Sequence, residues 1–326
     1  MLNDGSVIAV GDNAVFILDS TGRVEREVSK DGFKCNPNSV ASTSNIVCIA
    51  TGDKAKIAFI SESKSYKVSV PELITAVTFS RSGDLLYAGS NTGRLYVWQI
   101  STGTLIKNKQ IFFNSITDIK VDFENVTILI SAQNGDIALI RLVELFLSDS
   151  KGTVYVGHSA TVIGIANLMQ EPYTRRLSFV SISRDKNVRF WNHKERTAIS
   201  SHFLEHVPLS VEQSKISQRL YIACDMGHIA IVPLDDFKKT FYLSGHVGAV
   251  TGCVEAFNLV TCALDGVRIW DVDSRLCISH YAGIGPRINK LLSGVILEPR
   301  VHFVPLKNIV SDDKRVTTCM NKSSVG

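Results

Sequence analysis

The chain has 326 residues, 45% of them hydrophobic, which is enough for one large all-β domain or two ordinary ones. Its 35 Lys and Arg against 31 Asp and Glu leave a net charge of +4, spread along the chain, so charge alone gives no ground for a nucleic-acid-binding surface. The seven cysteines are scattered without a Cys-x-x-Cys pair, and there is neither a signal-peptide pattern nor a run of about 18 apolar residues; the expectation is a soluble, non-secreted, reduced protein with no disulfide framework and no zinc site.

Taken in chain order, residues 6–10, 14–19 and 23–28 read as three strands, because short alternating runs are bounded by Gly, Asn, Asp and Ser clusters. Residues from about 36 to 70 add a four-stranded unit without Trp, through Asn45-Ile46-Val47-Cys48-Ile49-Ala50 and Lys56-Ile57-Ala58-Phe59-Ile60. The clearest unit follows: Ile74-Thr75-Ala76-Val77-Thr78-Phe79-Ser80, a turn at Arg81-Ser82-Gly83, a second strand to Ser90, a turn at Asn91-Thr92-Gly93, then Arg94-Leu95-Tyr96-Val97-Trp98 and an outer strand from Thr104.

The loop after that unit carries Phe112-Phe113, and the next unit ends in the apolar group Leu142, Val143, Leu145, Phe146 and Leu147, which reads as a short amphipathic helix or a cover for its own sheet edge. Two further units open with Gly157-His158 and Gly245-His246 and reach Trp191-Asn192 and Trp270-Asp271, with Asp185 and Asp265 in the turns between. Residues 287–292 supply one last opening strand. Anchors in successive opening strands, Thr75, Thr117, Ile163, Ser210, Thr251 and Asn289, recur at intervals that bracket the roughly 40–45 residues of a four-stranded blade.

The Gly-His … Asp … Trp-Asp pattern resembles that of the WD-repeat family, and the expected fold is all-β: a seven-bladed WD-repeat β-propeller over residues 1–295, followed by a short tail at 296–326. Six complete blades end near Tyr281; the three N-terminal strands and the strand at 287–292 are expected to join as a seventh, closing the ring and hiding both sheet edges. The resemblance implies that His158, Asp185, Ser181 and Trp191, and likewise His246, Asp265, Thr261 and Trp270, form structural hydrogen-bonded chains, with Val232 and Ile140 standing for Trp in two other blades.

The same residues fit other chemistries less well. His158, Asp185 and Ser181 have the types of a hydrolytic triad, but the set occurs twice at matching positions and no Gly-x-Ser-x-Gly elbow is present. His193, His202 and His206 lack companion ligands at zinc spacing; Arg175-Arg176 does not continue into the Phe-Arg-Arg-Gly type of phosphoinositide motif; no Gly-rich phosphate loop occurs. No catalytic residue, metal, cofactor, membrane contact or small-molecule substrate is expected.

Several features outside the repeat motif are similar to one branch of the family, the WD-repeat subunit of the ribosome-assembly complex that contains the Rix and Ipi proteins. They are Val97-Trp98-Gln99-Ile100-Ser101-Thr102-Gly103-Thr104-Leu105, Phe112-Phe113-Asn114-Ser115-Ile116-Thr117, Arg141-Leu142-Val143-Glu144-Leu145-Phe146 and Leu220-Tyr221-Ile222-Ala223-Cys224-Asp225-Met226-Gly227, within a resemblance spanning about residues 70–295. The resemblance implies a nuclear, non-enzymatic scaffold that helps assemble a complex on large-subunit precursors and supports removal of internal transcribed spacer two. Its implied partners are Rix-like and Ipi-like subunits, a midasin-type AAA ATPase acting through the complex, and the pre-ribosomal particle. That branch usually continues into a coiled-coil-like tail, whereas residues 296–326 show no sustained heptad pattern. A generic adaptor in signalling or a ubiquitin ligase is the alternative. Phe113, Leu145 and Phe146 are expected at a partner interface, with Phe112 either beside them or packed between blades.

Overall fold

The computed structural model describes residues 7–12, 14–29, 33–61, 65–122, 126–147, 152–168, 178–214, 216–282, 287–293 and 306–307. Its strands form seven four-stranded antiparallel sheets. Blade one holds β1 (Val7–Gly11), β2 (Val15–Leu18) and β3 (Val24–Ser29); blade two holds β4 (Val40–Ser42), β5 (Val47–Ala50), β6 (Lys56–Ile60) and β7 (Ser65–Ser69). Blade three comprises β8 (Ile74–Phe79), β9 (Leu85–Ser90), β10 (Arg94–Gln99) and β11 (Thr104–Gln110); blade four comprises β12 (Ile116–Val121), β13 (Thr127–Ala132), β14 (Ile137–Arg141), the helix α1 (Leu142–Leu147) and β15 (Thr153–Tyr155). Blades five, six and seven follow as β16 (Val162–Asn167), β17 (Phe179–Ser183), β18 (Asn187–Trp191) and β19 (Ser200–Phe203); β20 (Pro208–Gln213), β21 (Arg219–Cys224), β22 (His228–Pro233) and β23 (Phe241–Ser244); and β24 (Gly252–Glu255), β25 (Leu259–Ala263), β26 (Gly266–Asp271) and β27 (Leu276–Tyr281).

The last strand, β28 (Ile288–Ser293), pairs antiparallel with β1 through Val7 opposite Ser293 and Ala9 opposite Leu291, and so completes blade one as its innermost strand. Asn289 reinforces the join by donating its amide to Asp12 Oδ1 at 2.7 Å. The seven-bladed all-β fold, with one blade built from both ends of the chain, is thus the fold expected from the repeat. The tail at 296–326 lies outside the described residues except for Leu306 and Lys307, as does Arg175-Arg176.

Two-residue periodicity explains how the ring is held. Alternate residues of a strand leave opposite faces of a sheet, and here each face meets a neighbouring blade. In β1, Val7 and Ala9 join the cluster shared with blade seven, whereas Ile8 and Val10 join the one shared with blade two. In β5 the same split sends Val47 and Ile49 toward blade one and Cys48 and Ala50 toward blade three. Strands buried on both faces read as nearly unbroken apolar runs, as β13 (Thr127-Ile-Leu-Ile-Ser-Ala132) does. Burying a large aliphatic side chain contributes about 1.5–3 kcal/mol, so the seven inter-blade clusters supply the main cohesion.

Close approach between blades constrains small residues. Gly89 in β9 faces Ile116 at the start of β12, and a Cβ there would collide with the Ile116 side chain. The antiparallel order of each sheet puts the turns between second and third strands, and the connections between blades, on one face of the ring; the other two turns of each blade lie on the opposite face. On the first face, a single turn at Pro37–Ser39 leans over the central channel, and Asn38 donates to the carbonyls of Thr117 at 2.9 Å and Ile163 at 2.6 Å, in blades four and five.

Candidate functional site

In blade five the turn before β16 carries His158, whose Nδ1 lies 2.9 Å from Asp185 Oδ2 and whose Nε2 lies 2.7 Å from Ser181 Oγ; Trp191 Nε1–H donates to the same hydroxyl at 2.8 Å. An ionised carboxylate only accepts and an indole N–H only donates. The chain therefore runs one way, from Trp191 into Ser181, from the Ser181 hydroxyl into His158 Nε2, and from His158 Nδ1–H into Asp185. The amides of Ser159 and Asn187 fill the rest of the carboxylate at 3.0 and 2.9 Å.

Blade seven repeats the arrangement. His246 lies 2.6 Å from Asp265 Oδ1 and 2.7 Å from Thr261 Oγ1, and Trp270 Nε1–H donates to that hydroxyl at 2.7 Å. Arg268 adds a bond to Asp265 Oδ2 at 3.1 Å.

Burial depresses the pKa of both imidazoles; the adjacent carboxylates oppose the shift without overcoming it, so the rings are neutral at neutral pH, as the one-way chain requires. Burial also pushes Asp185 and Asp265 upward. For Asp185 the amide of Asn187 and the His158 ring outweigh it, and for Asp265 the His246 ring and Arg268 do so, leaving both carboxyls below the ordinary value. Ser181 and Thr261 are wholly buried, with their lone pairs engaged by indole N–H groups. A hydrolytic triad needs a hydroxyl that a substrate carbonyl can approach, and neither hydroxyl is approachable. The geometry instead locks one blade's turn, inner strands and Trp together.

The remaining blades dispense with the array in a consistent way. Trp191 pairs with Phe179 and Trp270 with Leu259, and the hydroxyl residue stands two positions further along that partner strand. At the same register Val232 pairs with Leu220 and Ile140 with Ile128, so Ile222 and Ile130 occupy the hydroxyl positions. Replacing both members of a hydrogen-bonded pair by apolar groups leaves nothing orphaned. Blade three is the exception: Trp98 pairs with Leu86, and two positions on stands Ala88. Its indole N–H donates instead to the backbone carbonyl of Lys307, at 2.9 Å.

The expected contact residues separate into two environments. Phe113 is 82% exposed in the loop before blade four, whereas Phe112 is buried in the cluster between blades three and four. Leu145, expected at a partner interface, is wholly buried in that same cluster, because α1 folds back on its own blade and turns Leu142 and Leu145 inward. Phe146 is half-buried against the cluster, and Val143 and Leu147 face solvent. The interface expectation therefore narrows to Phe113 and the outer side of α1.

Sequence reasoning missed a second exposed group on the same face as Phe113: Met226, Val247 and Leu264. Gly227 abuts the carbonyl of His246, and Gly248 abuts Leu264, so the three positions adjoin across blades six and seven. One signal was available: Met226 takes the turn position held by Thr92 and Asn134 in blades three and four, with a positive φ of 53° that favours Asn or Gly. Nearby, His206 and His228 stack at 3.9 Å with Tyr242 edge-on against His206. His202 sits beside Phe237, and His193 is edge-on to Phe179, so His193, His202 and His206 do not converge on a common point. Among the described residues no group of three His, Cys, Asp or Glu is placed to hold a metal, and no helix is long and apolar enough to cross a membrane.

Comparison with known proteins places these features in context. The WD domain, G-beta repeat, matches residues 64–99. The chain is similar to the Pre-rRNA-processing protein IPI3 of Yarrowia lipolytica, 24% identical over 204 residues that cover 61% of this chain and 46% of that protein. It is also similar to WD repeat-containing protein 18 of Danio rerio, 25% identical over 246 residues covering 68% and 56% respectively. The chain thus spans about half the length of these relatives. Among solved structures, the computationally designed Ika8 protein superposes with a TM-score of 0.64 at 19% identity, covering 89% of this chain and 88% of that one, a likeness of fold alone.

Proposed function

We propose that the protein is a non-enzymatic scaffold subunit of a nuclear complex for large ribosomal subunit assembly, acting in pre-rRNA processing that includes removal of internal transcribed spacer two. Its partners in this reading are Rix-like and Ipi-like subunits, with a midasin-type AAA ATPase engaged through the complex and the pre-ribosomal particle as cargo. The observation that carries the reading is the likeness to the Pre-rRNA-processing protein IPI3 across 61% of this chain. The geometry is compatible with it: the two motifs that combine His, Asp and a hydroxyl are sealed inside blades, and what the ring offers outward is loops and apolar side chains. Loops held on a rigid frame are suited to binding partners. On this reading Phe113 and the outer side of α1 serve as contact points, together with the Met226, Val247 and Leu264 group.

The test is affinity purification of the tagged protein from cells at near-physiological salt, with mass spectrometry of the partners and probing for spacer-containing rRNA precursors. Recovery of Rix-like and Ipi-like proteins with those precursors is the expected result. Recovery of a ligase or signalling complex without the precursors overturns the assignment.

A further inference from the structure

Trp98 is 0% exposed and its own blade offers Ala88 where the other two Trp blades offer a hydroxyl. A buried donor left without an acceptor is destabilising, yet Trp98 is satisfied from outside the sheet. Lys307 accepts its N–H at 2.9 Å, and the Lys307 amide in turn donates to the Gly103 carbonyl at 2.5 Å. Both main-chain groups of one residue are thus used in docking. The preceding Leu306 is 7% exposed and belongs to the cluster between blades two and three, beside Ile46, Phe59 and Phe79. Beside Leu306 a groove of about 210 Å³ stays open, rimmed by the Thr43–Asn45 turn of blade two and the Ser82–Asp84 turn of blade three.

Two independent elements of recognition are present, a pocket for one apolar side chain and a pair of main-chain hydrogen bonds. That combination is how extended segments are read: the main chain gives affinity and the side-chain pocket gives specificity. We infer that the seat of Leu306 and Lys307 between blades two and three is a linear-motif site, occupied in cis by those two residues, and open to another chain only when that segment is displaced. The class of ligand is an extended peptide presenting a leucine-sized side chain followed by a free main-chain amide and carbonyl. The Trp98 N–H is the detector of occupancy, since it has no acceptor in its own blade at the position that serves the other two tryptophans.

The full chain has three tryptophans, hence three indole N–H resonances, and Trp98→Phe identifies the one that reports on the seat. In full-length Leu306→Asp the Trp98 resonance is expected to shift and exchange faster with water, while those of Trp191 and Trp270, bonded to Ser181 and Thr261 inside their blades, stay in place. A peptide of residues 301–310 added to the Leu306→Asp chain returns the Trp98 resonance to its wild-type position; the same peptide carrying Leu306→Asp does not. The wild-type chain binds the peptide at least about tenfold more weakly, because its own segment competes at high effective concentration. An unmoved Trp98 resonance in Leu306→Asp, a joint shift of all three, or a peptide that leaves the Trp98 resonance where Leu306→Asp put it overturns the inference.

Discussion

Replacing Ser181 by Ala removes one oxygen and strands two buried partners, the Trp191 N–H and the His158 Nε2, both of which meet that oxygen at 2.7–2.8 Å. Each orphaned group costs about 1–3 kcal/mol, and the cavity left by a hydroxyl is too small for a replacement water at a site with no exposure, so the loss is about 2–6 kcal/mol. With the usual unfolding entropy per residue, a chain of this length loses about 1.5 °C in Tm per kcal/mol, which places the Ser181→Ala Tm about 3–9 °C below wild type. Ser181→Thr keeps the oxygen, as Thr261 does in blade seven, and costs less than Ser181→Ala, about 1 kcal/mol for seating the extra methyl group. The measurement is urea and thermal unfolding by far-UV circular dichroism for the three proteins. A Ser181→Ala loss below about 1 kcal/mol, or a Ser181→Thr loss as large as that of Ser181→Ala, refutes the argument that the hydroxyl is the hub of the array.

Further expectations follow from the same geometry. His158 and His246 have folded pKa values below their ordinary 6.5, so the unfolded chain binds protons more readily than the folded one. Their contribution to stability is full above pH 6.5 and is lost as pH falls from 6.5 through the depressed folded values; urea midpoints across pH 5–7.5 should decline on the acid side, and His158→Gln should flatten that slope. Leu145→Ala, at a wholly buried side chain, costs about 2–5 kcal/mol, whereas Phe113→Asp leaves stability within about 0.5 kcal/mol and reduces recovery of partners. Equal stability losses for the two would contradict their assigned environments. Alkylation of the native protein should modify the exposed Cys277 and spare Cys48, Cys224, Cys253 and Cys262, which are buried and whose thiols burial pushes up, Cys224 to about 12 and Cys262 to about 11. Peptide mapping of the labelled chain reads the outcome, and labelling of Cys48 at the rate of Cys277 would count against the burial described.

What was legible in the sequence was whatever is local and repeated. The period of the anchors locates six of the seven blades, and the Gly-His, Asp and Trp spacings pick out the residues that meet in blades five and seven. The closure of blade one could be read because three strands at one end and one at the other each lacked a sheet. Residues whose place depends on a single turn of helix were not legible. In α1, Leu142 and Leu145 share one face by their three-residue spacing, but six residues carry too little pattern to say which face turns inward. The Trp98 contact was invisible for a different reason. Ala88 announces a missing hydroxyl, but nothing local says that a carbonyl 209 positions away supplies the acceptor. Strand ends moved by a residue or so where pairing is irregular, as between Val10 and Gly11.

The Asn38 side chain has a mechanical consequence. A ring whose segments grip only their neighbours resists stretching along its rim but shears easily into an oval, because no bond runs across its diameter. By reaching from the second segment to the Thr117 and Ile163 carbonyls of the fourth and fifth, Asn38 supplies a spoke. It crosses the channel mouth on the face that carries Phe113 and Met226, opposite the face that carries Leu306. A partner that settles on that face meets a braced rim rather than one free to deform.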